Sequence, residues 1–237
     1  MRFVTSSGLA LIAFLLPVAA AAETVTDTSE FTVSGAATIV SDYRFRGVSL
    51  TGKDPAVQAT INLAHESGVY VGAWGSSIDM GDRYGATEID FYAGWAGSIA
   101  PRTDLDMAVA YYSYPGGSGP GKIEFFETSA KLSHDLGPLR TTLGANYSWD
   151  QAALGDDNLY LFGEAAAAIP GTPLTLKARG GRTRGALSPR AGSYHDWSLG
   201  ADAGFGPITV GLAYVDTDLG RGARADGAAL LSVSAAF

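Results

Sequence analysis

A chain of 237 residues without a single cysteine cannot be a small domain stapled by disulfides, nor can it build a thiolate metal centre. Its 16 Lys+Arg against 24 Asp+Glu leave a formal charge of −8, a sign that disfavours binding to nucleic acid. The 31 glycines are spread evenly rather than in a strict repeat, which suits many tight turns and excludes collagen or a linker.

Residues 1–22 read as a secretory signal. Arg2 supplies the positive start, residues 8–18 an apolar core, and Ala20, Ala21 and Ala22 the small-residue pattern that cleavage needs. The mature chain is expected to begin near Glu23, to leave the cytoplasm, and to carry −9 once Arg2 is gone. Beyond the signal no apolar run approaches the ~18 residues of a spanning helix. A membrane form would therefore have to be a closed barrel, because only helices and barrels satisfy the backbone in lipid.

Residues 23–30 are polar and expected to form a short periplasmic segment. From Phe31 the chain alternates with a period of two. Phe31, Val33, Gly35, Ala37, Ile39, Tyr43 and Phe45 fall on one face, and Thr32, Ser34, Thr38, Asp42, Arg44 and Arg46 on the other. This predicts a first strand reaching to about residue 46, with a loop over 47–54. Strand two follows over 55–66, with Val57, Ala59, Ile61 and Leu63 opposite Gln58, Thr60 and Asn62. Ser67-Gly68 turns it into strand three over 69–79, where Val69/Val71 and Tyr70/Trp74 compete for the apolar face. After a polar loop over 80–86, strand four (87–98) puts Ile89, Phe91, Ala93 and Trp95 opposite Glu88, Asp90 and Tyr92. Pro101 leads to strand five, where Leu105, Met107, Val109 and Tyr111 alternate with Asp104, Asp106, Ala108 and Tyr112.

A glycine-rich loop over 115–121 precedes strand six (122–134), with Phe126, Thr128, Ala130 and Leu132 opposite Glu127, Ser129 and Lys131. The turn at 136–138 opens strand seven, from Leu139 to Trp149, with Arg140, Thr142, Asn146 and Ser148 on its polar face. Beyond a loop over 151–157, strand eight sets Leu159, Leu161, Ala165, Ala167 and Ile169 against Tyr160, Phe162 and Glu164. Pro170-Gly171-Thr172-Pro173 turns it into strand nine, where Leu174, Leu176 and Ala178 alternate with Thr175, Lys177 and Arg179. A basic loop is expected over 182–196, then strand ten from Trp197 to Phe205 and, past Gly206-Pro207, strand eleven with Ile208, Val210, Leu212 and Tyr214. A charged loop over 216–226 returns to a closing strand over 227–237, whose Ala229, Leu231, Val233, Ala235 and Phe237 share one face.

Twelve strands of about ten residues match the length that crosses a bilayer at a tilt. Connections after even-numbered strands are short and built on Gly and Pro, whereas those after odd-numbered strands are longer, charged and glycine-rich. A soluble sandwich has no reason to sort its loops in this way. The expected fold is all-β, an antiparallel up-and-down transmembrane barrel of about 12 strands with both termini on the short-turn, periplasmic side. Aromatics near the strand ends (Phe45, Tyr147, Trp149 and Trp197 at one rim, Phe31, Trp95, Phe205 and Phe237 at the other) fit the girdles of such a barrel. A chain stopping on Phe237 at the end of an alternating strand resembles the closing strand of bacterial outer-membrane barrels. That likeness implies the bilayer of the cell outer membrane and its assembly machinery as partners.

The run Ser41-Asp42-Tyr43-Arg44-Phe45-Arg46-Gly47-Val48-Ser49, followed by residues 54–58, resembles the opening signature of the TorF family of porins. Residues 64–76 and the acidic strand at 88–94 continue the likeness, which covers about the first third of the mature chain. The resemblance implies an outer-membrane barrel with a pore, and supplies no substrate.

Barrel width grows with strand number, so twelve strands should enclose a narrow lumen. By parity the inward charges are Arg44, Arg46, Lys131, Arg140, Lys177 and Arg179 against Glu88, Asp90, Asp104, Asp106, Glu127, Glu164 and Asp202. Strands one, seven and nine are basic; four and five are acidic. The expectation is a wall split into a basic arc facing an acidic one, whose transverse field favours small polar or charged solutes. The alternative is that these charges pair across a plugged lumen and conduct nothing. Catalysis is disfavoured, because His65, His134 and His195 are scattered and no Gly-x-Ser-x-Gly elbow is present. The Glu88/Asp90 pair has a spacing that could take a cation, though it is more often a solvated wall. No cofactor is expected, and a homo-oligomer is left open.

Overall fold

The computed structural model describes residues 30–118, 121–189, 192–220, 222 and 224–237; the expected signal and most of the polar segment after it lie outside them. Fourteen strands are present among these residues: β1 (Phe31–Val40), β2 (Arg44–Phe45), β3 (Val48–Ser49), β4 (Ala56–His65), β5 (Val69–Ser77), β6 (Thr87–Ala100), β7 (Thr103–Ser113), β8 (Phe125–Leu136), β9 (Leu139–Ser148), β10 (Asn158–Ala168), β11 (Leu174–Gly185), β12 (Ser193–Phe205), β13 (Ile208–Thr217) and β14 (Ala228–Ala236). Twelve of them close into one antiparallel barrel, each pairing with its chain neighbours, while β2 and β3 form a separate two-stranded ribbon. Closure runs through β1, which pairs Ile39 with Val57 of β4 on one side and with Val233 of β14 on the other.

Alternation along the strands fixes which side each residue takes. Val57 is 63% exposed and its neighbour Gln58 only 3%, and the same contrast recurs around the barrel. Exposed Val33, Phe91, Leu143, Leu161, Leu199 and Leu212 lie outside, while buried Asn62, Glu88, Ser129, Asn146 and Ser234 lie within. A water-soluble fold has the reverse arrangement; an apolar exterior around a polar interior is the pattern of a barrel in lipid. Strand β5 settles the competition left by the sequence: Val69 and Val71 are exposed, and Tyr70 and Trp74 are buried.

The closing contact uses the last residue. The Phe237 main chain exchanges two hydrogen bonds with Gly35, of 2.9 and 3.0 Å. The Phe237 ring occupies the space that a side chain at Gly35 would need, so the glycine in β1 is what makes room for it.

Connections of unequal length do segregate to the two rims. Turns over 66–68, 101–102, 137–138, 169–173 and 206–207 mark one end, and longer connections over 41–55, 78–86, 114–124, 149–157, 186–192 and 218–227 the other. Most strand ends fall within about three residues of expectation, and two spans differ by more. The first strand ends at Val40, not near residue 46. The basic loop expected over 182–196 is mostly strand: β11 continues to Gly185 and β12 starts at Ser193, with Arg182 paired to His195. Gly180 and Gly181 remove the apolar alternation there without interrupting the backbone ladder. Gly181 also leaves room for the Tyr160 ring from β10.

Candidate functional site

The segment after β1 turns into the barrel instead of continuing its wall. Arg46 and Gly47 have φ of +50° and +83°, the two left-handed positions of a type I′ turn, and they join β2 to β3 as a minimal hairpin. Glycine suits the second position, where a Cβ would strike Thr217 of β13. An arginine at the first is unusual, and such strain persists only where surroundings over-determine it. Asp42 ties the hairpin base together, accepting from Arg44 Nε at 2.7 Å, Ser49 Oγ at 2.6 Å and Thr51 Oγ1 at 3.2 Å.

At the tip, Arg46 Nη2 donates to Glu127 Oε2 on β8 at 2.5 Å, and the guanidinium lies 4.4 Å from the Tyr160 ring centroid on β10. Tyr194 on β12 donates its hydroxyl to the Arg46 carbonyl at 3.0 Å. The strands β8 and β10 flank the wall opposite the hairpin's root between β1 and β4, while the tip backbone rests against Thr217 of β13 and Tyr194 of β12, so it is the Arg46 side chain that reaches across the lumen. Glu127 also accepts from Tyr112 at 3.2 Å and Asn146 at 2.8 Å, which fixes its carboxylate for the arginine. Burial works against charge on Arg46, but the adjoining Glu127 carboxylate outweighs it and holds the guanidinium above its ordinary pKa. Arg44 donates to the Asp226 carbonyl at 2.7 Å, and Ser49 N to the Arg224 carbonyl at 2.9 Å, tying the hairpin to the loop before β14.

Arg44 and Arg46 therefore belong to this hairpin and not to the strand wall where parity put them. The remaining expected charges lie on the inner face, but they do not form facing arcs. Each cation pairs locally: Lys131 with Asp106 at 3.3 Å, Arg140 with Asp104 at 2.7 Å and Asp135 at 2.8 Å, Lys177 with Asp202, and Arg179 with Glu164. The register explains this, since Asp106 sits opposite Lys131 and Glu164 opposite Arg179 on adjacent strands. Among the described residues, Glu88, Asp90 and Asp196 take part in no ion pair, and each keeps a buried oxygen without a hydrogen-bond partner. Glu88 accepts from Tyr114 at 3.0 Å and Asp196 from Tyr160 at 3.0 Å. Tyr43 shares this region: burial and the nearby Glu88 and Asp90 carboxylates push its phenol well above the ordinary value. His65 and His134 stand at the short-turn rim and His195 at the start of β12, apart from one another as expected.

Sequence reading missed the seat of the hairpin. Tyr194 falls in the stretch that the sequence predicts as loop, and Tyr160 shows in the sequence only as an aromatic at a polar parity position. Above the hairpin, toward the long-loop rim, is a cavity of about 310 Å³. Its wall joins Phe45, Val48 and Leu50 of the hairpin to Met80, Tyr84, Tyr114, Ile123, Leu154 and Leu187 of the loops and to Glu88, Tyr112, Phe125 and Tyr194 of the barrel.

The architecture is similar to that of solved outer-membrane barrels. A KdgM porin aligns with a TM-score of 0.58 at 6% identity, covering 86% of this chain and 98% of that one. A NanC porin aligns at 0.57 and 10%, covering 87% and 99%. An outer-membrane channel from Pseudomonas putida F1 aligns at 0.53 and 10%, covering 86% and 94%. At such identities the likeness is one of fold alone. No curated protein matches the sequence. A family model described as bacterial protein of unknown function matches residues 24–234 and does not carry the TorF name that the motif suggested. The chain is a member of that family, Gcw_chp.

Proposed function

We propose that this chain is an outer-membrane porin that passes small polar or ionic solutes through a lumen constricted by the hairpin at 41–55. One observation carries the reading: a polar, charged interior runs the length of a closed barrel whose exterior is apolar. The motif that resembles TorF porins is the same segment that crosses the lumen, which supports a role in permeation. At the hairpin level Arg46, Glu88, Glu127 and Tyr160 are at most 2% exposed, so passage there depends on small displacements of the hairpin. Toward the short-turn rim Asp104, Asp106, Arg140, Glu164 and Asp202 are only half-buried and more accessible to solute. With the cations paired and Glu88, Asp90 and Asp196 left over, the outer half of the lumen favours cations over anions. The protein would reach the membrane through its signal and insert by way of the closing strand.

Single-channel recording of refolded protein in a planar bilayer under a salt gradient tests the proposal. Discrete steps with a reversal potential on the cation side are expected. A heat-modifiable, folded barrel that stays silent would overturn it in favour of a plugged structural barrel, the reading that the buried Arg46–Glu127 pair would then carry.

A further inference from the structure

We propose that the cavity above the hairpin is a binding site for a small organic ammonium ion with an apolar body, anchored by Glu88. The cavity volume of about 310 Å³ lies at the small end of ligand pockets, which run from about 300 Å³. Its lining is aromatic and aliphatic except at two points. Glu88 is 1% exposed; its Oε1 accepts from Tyr114, the Tyr43 phenol stands beside the carboxyl on the side away from the cavity lining, and Oε2 makes no hydrogen bond of its own. Ser188 Oγ, on the loop across the cavity, is also buried and unpartnered. A buried carboxylate oxygen left unmatched is costly, and a ligand N–H⁺ supplies the missing donor.

Charge selects the ligand's sign. The charge of buried Arg46 is matched by Glu127 and its guanidinium lies against the faces of Phe45 and Tyr160, although its Nη1 makes no hydrogen bond, whereas Asp90, two residues along the same strand face as Glu88, adds a second carboxylate without an ion pair. Aromatic faces attract cations further, worth about 0.5–2 kcal/mol in general. A neutral polyol is a poor fit, because the lining beyond Glu88 and Ser188 is aromatic and aliphatic, and Tyr112, Tyr114 and Tyr194 have their protons committed to Glu127, Glu88 and the Arg46 carbonyl, which leaves them only as acceptors. A divalent metal is a poor fit too: it asks for about six oxygen ligands, and no cluster of three or more acidic or histidine side chains capable of holding one occurs among the described residues.

Occupancy of this site does not depend on the barrel conducting. The test is titration calorimetry on the refolded, detergent-solubilised full chain with 2-phenylethylammonium, compared with 2-phenylethanol and phenylacetate. The ammonium should bind one-to-one, with the alcohol at least ten-fold weaker and phenylacetate weaker still. Glu88→Gln should cost at least ten-fold for the ammonium alone. Ala153→Trp fills the cavity from the loop over 149–157 while leaving Glu88 in the sequence, and should abolish binding. No ammonium binding, equal affinity for the three probes, or full binding by Glu88→Gln would overturn the proposal. If Glu88→Gln fails to fold, Ala153→Trp decides, and retained binding there overturns it. A silent barrel that binds the ammonium would sink the porin reading and leave the site; a conducting barrel that ignores it would do the reverse.

Discussion

Arg46, at the tip of the inward hairpin, meets Glu127 on the far wall of the barrel at 2.5 Å, and both side chains are almost wholly buried. Removing one partner of such a pair leaves an uncompensated buried charge, which costs about 3–5 kcal/mol. The hairpin can escape that cost by leaving its seat. Arg46→Ala and Glu127→Gln should therefore each raise channel conductance and increase proteolysis within 41–55 while the barrel stays heat-modifiable. The double variant should be less perturbed than the sum of the singles, by about 1–3 kcal/mol of coupling. Additive effects would mean that the two residues do not act as a pair.

Gly47 carries a second, independent constraint on the same turn. Gly47→Ala meets both a φ of +83° and the methyl of Thr217, and should loosen the hairpin, read as faster amide exchange over 42–51. Thr217→Ser removes the methyl but keeps the hydroxyl bonds to the Ala225 carbonyl and the Leu219 N–H. It should restore part of the protection lost in Gly47→Ala. Absence of any rescue would place the whole effect in backbone strain.

The faces of the strands were legible from sequence because alternation follows directly from strand geometry, and an apolar exterior with a polar lumen makes it visible. Leu199 lies 63% exposed near the middle of β12. Leu199→Lys should destabilise the barrel in bilayers by about 2–4 kcal/mol, while Leu199→Phe should be nearly neutral. A harmless lysine would show that this face meets water.

The hairpin was not legible for the same reason that the strands were. Asp42, Tyr43, Arg44, Phe45 and Arg46 alternate just as a wall strand does, because a ribbon packed inside a polar lumen has the same two-faced demand. Only Arg46-Gly47 hinted at a turn, and a type I′ turn more often shows Asn or Asp at its first position. Charge pairing escaped for another reason. Parity tells which face a residue takes but not its height, and height, set by register, is what places Arg179 against Glu164 and Lys131 against Asp106.

Asp218 gives a pH dependence at the long-loop rim. Burial nudges its carboxyl upward, but hydrogen bonds from the His195 main-chain N–H and imidazole, both at 2.8 Å, outweigh this and hold it below the ordinary range. A depressed carboxylate stabilises the folded loop above its unfolded value of about 4 and loses that contribution as pH falls through the lower folded value. The effect should be small, because the pair is half-exposed. Limited proteolysis of the loop over 218–227 should rise as pH drops below about 4, and Asp218→Asn should flatten that dependence.

In the proposed porin the hairpin at 41–55 sets the width of the lumen. The most direct test of this replaces that segment with a short turn between β1 and β4, and compares single-channel conductance with the intact chain. A several-fold larger conductance from an equally heat-modifiable barrel is the predicted result. Equal conductance from the two barrels would contradict it.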